Sequence, residues 1–348
     1  MQPSSRNLTA PGTDRVLVQG QGSGNTYLFD PDRQEVKYKV VDSIPILMPT
    51  VLPESSGRVS GRVRIEADVE AYSLRSDSSL MSATLELDVR RLRRLQAFVS
   101  RTAYEFGDPL PPMLWDKPFD GSALLDVYTF LFSRPSTGLP TAQLGGRGLH
   151  ALQSIVLGVD SAVLISPVWE ECRHAIAVAE RLNLDERLTV AVGIAESLPL
   201  PRESLGAVIV AGSMHHFDVS ESVDEVARVL HPDGRFGAAE PWRAPGYSLG
   251  IAVFGKREED VDCVPLDPTR MDEFHDRMPA SLVIHHGALT RYLLLALAHL
   301  GLTLPHLISR WLVAADDQVA SRLRIRSFGS SVACLGAMAP VESDGWPH

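Results

Sequence analysis

The chain is poor in cysteine. Only Cys172, Cys263 and Cys334 occur in 348 residues, far apart and never as a CxxC pair. That argues against a disulfide framework and against a cysteine-rich zinc site. Long apolar runs are missing too. The longest candidate for a membrane span, Leu293 to Leu304, is short and carries His299 and Gly301. No apolar core of a signal peptide follows Met1-Gln-Pro-Ser-Ser-Arg6. The expectation is a soluble, cytoplasmic protein without a membrane partner. Basic residues are the minority, 33 against 43 acidic, for a net charge of −10. This excess of acid argues against nucleic acid as the main partner. The one dense basic run, Arg90-Arg-Leu-Arg-Arg94, reads as a solvated helix face or an interface.

What is present suffices for a full core: 45% of residues are apolar, and the length suggests roughly two domains. Residues 1 to about 25 are polar and rich in Gly, Ser, Pro and Asn, so they are expected to be disordered or loosely attached. Tyr27–Phe29 and Val36–Val41 read as short strands, and alternation over Ser60–Val69 suggests another. Residues 79 to 105 carry Leu80, Leu85, Leu87, Leu92, Leu95 and Phe98 close to helical spacing. Gly107, Pro109, Pro111 and Pro112 then break regular structure and mark a boundary or lid. A short apolar helix over 121–133 follows.

Beyond Thr141 strands and helices alternate. Ala162–Ile165, Leu188–Val192, Ala207–Ala211, Arg235–Glu240, Ser281–Ile284 and Ser331–Leu335 read as strands. Helices are expected over Trp169–Leu182, Glu221–Leu230 and Leu289–Leu300. Near-continuous apolar strands between amphipathic helices indicate a parallel sheet covered on both faces. Ligands in such sheets bind beyond the C-terminal strand ends. One stretch there stands out, Gln143-Leu-Gly-Gly-Arg-Gly-Leu-His150. Its glycines let backbone N–H groups approach a ligand, and the helix start behind them favours polar or anionic oxygens.

These residues resemble a class I S-adenosylmethionine-dependent methyltransferase domain. The likeness rests on Gly145-Gly-Arg-Gly148, Leu198-Pro-Leu200, Gly212-Ser-Met-His-His-Phe217, Glu225-Val-Ala-Arg-Val-Leu-His-Pro-Asp-Gly-Arg-Phe236 and Glu240-Pro-Trp-Arg243. It covers roughly residues 141 to 245. The blocks Phe254-Gly-Lys-Arg-Glu258 and His285-His-Gly-Ala-Leu-Thr-Arg-Tyr292 are similar to a bacterial subgroup of methyltransferase-like proteins. Ile44-Pro-Ile-Leu-Met-Pro49 resembles the C-terminal half of a Trm112-like ribbon. Such ribbons often carry zinc-binding cysteines; this chain has none before Cys172, so the segment is expected to be metal-free. The resemblance implies an α/β, Rossmann-like fold with a mainly parallel seven-stranded sheet and S-adenosylmethionine as cofactor. The expected organisation is an N-terminal α+β appendage over 1–105, a linker or lid over 106–140 and the methyltransferase-like domain over 141–340. In that architecture helix 121–133 would lie over the substrate pocket.

The chain departs from the family where carboxylates are usual. Gln143 stands just before the glycine turn, Ser166 ends the second strand where an acid takes the ribose hydroxyls, and Ile194 follows the third strand. Glu170 or Glu196 is a candidate to compensate. Two readings stay open: a variant site that still binds the cofactor, or the same fold put to other chemistry. The cofactor-contact candidates are Gln143, Gly145, Gly146, Gly148, Ser166, Ile194, Ala195, Glu196 and Ser213.

His215 and His216 follow the fourth strand, where an imidazole can take a proton from an acceptor hydroxyl or amine. Glu240 can orient one of them. Trp242 offers an aromatic face to a cation, and Arg243 a clamp for carboxylate, sulfate or phosphate. An Arg243–Glu240 ion pair beside a core Trp is the alternative. Lys256, Arg257, His285, His286, Arg291 and Tyr292 complete the candidate substrate contacts. A second His pair facing the first would suggest a metal, but no spaced carboxylate motif supports one and none is assigned. The functional expectation is methyl transfer to a small molecule in secondary metabolism. The alternatives are a non-methylating cyclase or eliminase, and a silent subunit that dimerises or meets a partner protein through its N-terminal appendage.

Overall fold

The chain starts with a four-stranded antiparallel sheet, β1 (Val18–Gly22), β2 (Asn25–Asp30), β3 (Arg33–Val41) and β4 (Ile44–Pro45), arranged in that order. This computed structural model describes residues 8–22, 25–49, 78–111, 114, 120–133, 138–245, 247, 265–278, 280–290, 293, 297, 302, 304–341 and 346–347. Asp42 and Ser43 turn β3 into β4 at positive φ, a conformation that suits a tight two-residue hairpin. Residues 8–17, before β1, are not loose. Leu8, Ala10 and Leu17 are buried, and the N–H groups of Thr9 and Gly12 donate to Pro199 and Leu198 carbonyls at 3.1 Å each. These few apolar side chains find the apolar surface of Leu198 and Leu200, which outweighs the polar composition around them. The strand expected over Ser60–Val69 lies outside the described residues.

The main sheet has seven strands: β5 (Thr141–Leu144), β6 (Ala162–Ser166), β7 (Leu188–Val192), β8 (Leu205–Ala211), β9 (Leu230–Pro241), β10 (Ala280–His286) and β11 (Ser331–Ala337). Their order is β10-β11-β9-β8-β5-β6-β7. Only β11 runs against its neighbours; the pairs from β9 to β7 are parallel. This is the mainly parallel α/β sheet that the resemblance implies. It reverses direction of winding between β5 and β8, so loops leaving those strands diverge and leave a crevice. β4 extends toward this sheet: the Leu47 N–H donates to the Val192 carbonyl at 2.7 Å, and Ile46 bridges Val192 in parallel.

Helices α1 (Ser78–Thr102), α2 (Asp120–Phe132), α3 (Leu149–Leu157) and α4 (Trp169–Leu182) share one apolar core on one face. α5 (Val219–Val229), α6 (Pro268–Arg277) and the buried N-terminal side chains cover the other. A seventh helix, α7 (His306–Arg322), precedes β11. α2 was expected over the substrate pocket. It instead packs against β9 and β11, with Val127, Tyr128 and Phe130 fully buried. A helix that is apolar on nearly all sides belongs in a core rather than on a rim. In α1, Val89, Leu92 and Leu95 face inward while Arg90, Arg93 and Arg94 are exposed, so the basic run is a solvated face.

α1 is also fastened to α4 by a buried polar pair. The Asp88 carboxylate lies 2.9 Å from His174 Nε2, and both side chains are almost fully buried. Removing one partner of such a pair leaves the other polar group buried without its complement, which typically costs about 1–3 kcal/mol. The Asp88→Ala chain is expected to unfold at clearly lower urea concentration, with a loss on the order of 2 kcal/mol. A loss under about 0.5 kcal/mol, the usual effect of a surface change, would show that this pair does not secure α1.

Candidate functional site

The glycine stretch forms the turn from β5 into α3. Gly145, Gly146 and Gly148 all sit at positive φ. A Cβ on Gly145 would lie 2.6 Å from Ser213 Oγ, and one on Gly148 would lie 2.6 Å from the Ala175 Cβ. Both positions therefore need glycine for conformation and for space. Gln143 braces the turn from behind. Its Nε2 donates to the Gly145 carbonyl at 2.8 Å, and its Oε1 accepts from the Ala151 N–H at 2.9 Å. The sequence-expected contacts Gln143 and Gly148 thus shape the turn without lining the cavity in front of it.

That cavity has a volume of about 170 Å3. Gly145 and Gly146 form its floor, Ile194, Ala195 and Phe217 its apolar walls, and Glu171, Glu196, Ser213 and His216 its polar groups. Ser166 sits one step back, bonded to a carboxylate that sequence reasoning missed. Its Oγ donates to Glu171 Oε2 at 2.7 Å and accepts from the Val168 N–H at 3.2 Å. Burial raises the pKa of Glu171 above the usual carboxylate range, against the opposing pull of the Ser166 hydroxyl, the Arg147 charge and the Gly146 N–H. Glu171, one residue beyond Glu170, is thus the acid of this helical turn that lines the cavity. The signal was a serine at a strand end followed by acids in the first helical turn. Glu196, the other candidate, lines the cavity and accepts from the Asp218 N–H at 2.8 Å.

The two histidines divide their surroundings. They lie on a single 3-10 turn, Met214–His216, after β8. His215 points inward: its Nδ1 is 2.7 Å from the Glu240 carboxylate, which also accepts from the N–H groups of Ser213 and Met214 at 2.9 Å each. Burial alone would raise the pKa of Glu240; the His215 hydrogen bond and charge and the two backbone donors reverse this and hold it below its usual value. His216 lines the cavity, with its ring centroid 4.1 Å from that of His215. The carbonyl end of the same turn is held by Arg270 of α6, whose Nη2 donates to the Phe217 carbonyl at 2.8 Å and to the His215 carbonyl at 3.3 Å. Arg270 lies outside every sequence block of the resemblance and was not anticipated.

The remaining candidates separate. Glu240 pairs with His215 rather than Arg243, whose acidic neighbour is Asp267 at 3.9 Å. Arg243 lines a second, more open cavity of about 460 Å3 with Tyr247 and Asp267. Trp242 lines neither cavity. It is buried, edge-on to the His285 ring at 4.7 Å, so its face is not offered to a cation in the glycine-turn cavity. Burial and the neighbouring His286 lower the pKa of His285 to about 4. His286 is held on both nitrogens, by Asp126 of α2 and Asp317 of α7 at 2.8 Å each, so the second His pair does not converge on the first. Lys256, Arg257, Arg291 and Tyr292 lie outside the described residues, as does Cys263. Cys172 and Cys334 are buried free thiols whose pKa burial raises.

Part of the chain is similar to known proteins. Residues 137–238 match the family model described as a methyltransferase domain. An uncharacterized methyltransferase of Bacillus subtilis, YcgJ, is 36% identical over 101 residues, 26% of this chain and 40% of that protein. The uncharacterized methyltransferase Mb3374 of Mycobacterium bovis is 33% identical over 151 residues, 42% of this chain and 52% of that protein. The chain thus spans about half or less of the length of these relatives. Among solved structures, the YcgJ protein aligns with a TM-score of 0.43 at 19% identity, covering 63% of this chain and 99% of YcgJ. Geranyl diphosphate C-methyltransferase from Streptomyces coelicolor A3(2) aligns at 0.42 and 13%, covering 63% and 75%. Among the described residues no helix is long and apolar enough to cross a membrane.

The bonds to His286 set a pH dependence. Burial would lower its pKa, but hydrogen bonds and charge from Asp126 and Asp317 raise it to about 9. A pKa raised on folding adds stability that is complete below the unfolded value near 6.5 and is lost as pH rises through about 9. The melting-temperature advantage of the native chain over His286→Asn is expected to shrink between pH 7 and pH 10. An advantage that stays constant over that range would contradict the assignment.

Proposed function

We propose that the glycine-turn cavity binds S-adenosylmethionine and that the chain methylates a small-molecule acceptor, a reading supported by the match of residues 137–238 to a methyltransferase domain. The observation that carries the cofactor reading is the carboxylate of Glu171, held by Ser166 at the end of β6 and facing the cavity beside Gly146. Ser166 alone would replace a carboxylate with a neutral hydroxyl; Glu171 restores the acceptor of two hydroxyl donors that a ribose presents. Hydrogen bonds to a charged acceptor contribute roughly 1.5–3 kcal/mol each. Gly145 and Gly146 leave room for close backbone approach, and Ile194, Ala195 and Phe217 offer apolar surface to a planar base. Glu196 would meet the polar edge of that base.

When bound, the cofactor supplies an electrophilic methyl group. The chain's own residues then orient the acceptor and move its proton. His216 lines the cavity and acts as the base. His215 directs its Nδ1 proton to Glu240 and so keeps the turn in one orientation, a positioning role. General-base assistance of this kind is worth about 100-fold or more, and placing the two reactants in contact supplies the larger share of the rate.

Calorimetric titration with S-adenosylhomocysteine tests the first part. Micromolar binding is expected, with Glu171→Gln weaker by about 10- to 100-fold, the equivalent of one lost charged hydrogen bond. No heat at millimolar ligand would overturn the cofactor reading. The His216→Ala chain is expected to bind S-adenosylhomocysteine normally and to lose methyl transfer by about 100-fold, followed with radiolabelled methyl donor on an acceptor found by screening. Unchanged turnover would remove His216 as the base.

A further inference from the structure

The second cavity shares no lining residue with the glycine-turn cavity. It lies where the chain leaves β9 and enters α6, and it is lined by Arg243, Ala244, Pro245, Tyr247, Asp267 and Pro268. We propose that this cavity is the acceptor subsite and takes a small acid with a planar apolar body, its carboxylate or phosphate on the Arg243 guanidinium. The name acceptor rests on the methyl-transfer reading; the chemistry of the ligand does not.

Three features support this. The first is the state of the guanidinium. Other arginines near the site are spent inside the fold: Arg228 on Glu225, Asp14 and the Leu198 and Leu200 carbonyls, Arg270 on the His215 and Phe217 carbonyls. The Arg243 side chain is 50% exposed and meets Asp267 only at 3.9 Å, beyond hydrogen-bond length. Asp267 is itself engaged, its Oδ1 accepting from the Arg270 N–H at 3.2 Å. A planar guanidinium with donors to spare matches the paired oxygens of a carboxylate or phosphate.

The second is rigidity. The backbone that presents Arg243 is stitched on both sides: Trp242 N–H to the Ser330 carbonyl at 2.8 Å, Arg243 N–H to Leu266 at 2.8 Å, and Leu266 N–H to Pro241 at 3.1 Å. Pro245 and Pro268 restrict the chain further. A site built on a fixed frame loses little freedom on binding. Its walls are apolar or aromatic (Ala244, Pro245, Tyr247, Pro268), which suits a flat hydrocarbon body behind a charged end.

The third is distance from the chemistry. Arg243 stands three residues after Glu240, so their backbones are at most about 10 Å apart. The first turn of α6 forms the partition. Asp267 and Pro268 face the Arg243 cavity, while Arg270, one turn on, grips the carbonyls of the turn that carries His216.

Titration calorimetry on the full chain decides the matter, with benzoate, phenyl phosphate, inorganic phosphate and uncharged benzamide as probes. Benzoate and phenyl phosphate are expected to bind at least tenfold more tightly than benzamide, and phenyl phosphate more tightly than inorganic phosphate. Arg243→Gln is expected to remove the preference for acids, and Arg243→Lys to keep part of it. S-adenosylhomocysteine, titrated on the same chains, is expected to bind all three alike, which also reports that the variants are folded. No binding of either aromatic acid, equal affinity for benzamide, or acid binding that survives Arg243→Gln overturns the proposal. Inorganic phosphate as tight as phenyl phosphate overturns the planar body. Loss of S-adenosylhomocysteine binding alone, with Arg243-dependent acid binding intact, overturns the cofactor reading and leaves the acid site standing.

Discussion

The site depends on one buried carboxylate. Glu240 ends β9 completely enclosed, yet it remains charged because three groups of the neighbouring strand exit face it: the N–H groups of Ser213 and Met214 and the ring of His215. A buried charge is stable only when it is fully hydrogen-bonded. At the other end of the same turn the Arg270 guanidinium collects carbonyls. Donors point to an anion and acceptors to a cation, so a three-residue turn is held at both poles. That clamp decides which histidine reaches the cavity, since the ring tied to Glu240 cannot swing outward without stranding a charge.

A second carboxylate, Glu171, stands against a strand end that carries no acid of its own. The end of β6 carries a neutral hydroxyl, and the first turn of α4 supplies the acid. Side chains of a helix tilt back toward its N-terminus, so a residue in the first turn leans over the strand end that precedes it. Glu171 does this, whereas Glu170, a step earlier on the helix, does not line the cavity. The serine then serves as a donor that steadies the carboxylate near the glycine turn.

The main sheet was legible because its strands are almost unbroken apolar runs, which have few other solutions. The glycine turn and the residues Ile194, Ala195, Glu196 and Ser213 at its mouth were legible for the same reason: strand ends locate the rim. What the sequence did not disclose depends on partners far along the chain. Leu8, Ala10 and Leu17 are too sparse to form a pattern and gain meaning only from the surface of Leu198 and Leu200. The apolar residues of α2 say that it is buried but not which layer buries it. Arg270 looks like any surface arginine until α6 is placed beside the turn. The choice between Glu170 and Glu171, and between His215 and His216, turns on a rotation of about 100° per helical residue, finer than a boundary read from composition.

One detail of the N-terminal ribbon bears on how the molecule behaves outside its native length. β7 is the last strand on its side, and the main-chain bonds of Ile46 and Leu47 to Val192 occupy part of that margin. Unpaired margins of sheets recruit strands from other molecules. A version of this chain that began at β5 would bare that border, and its first symptom would be clumping in solution.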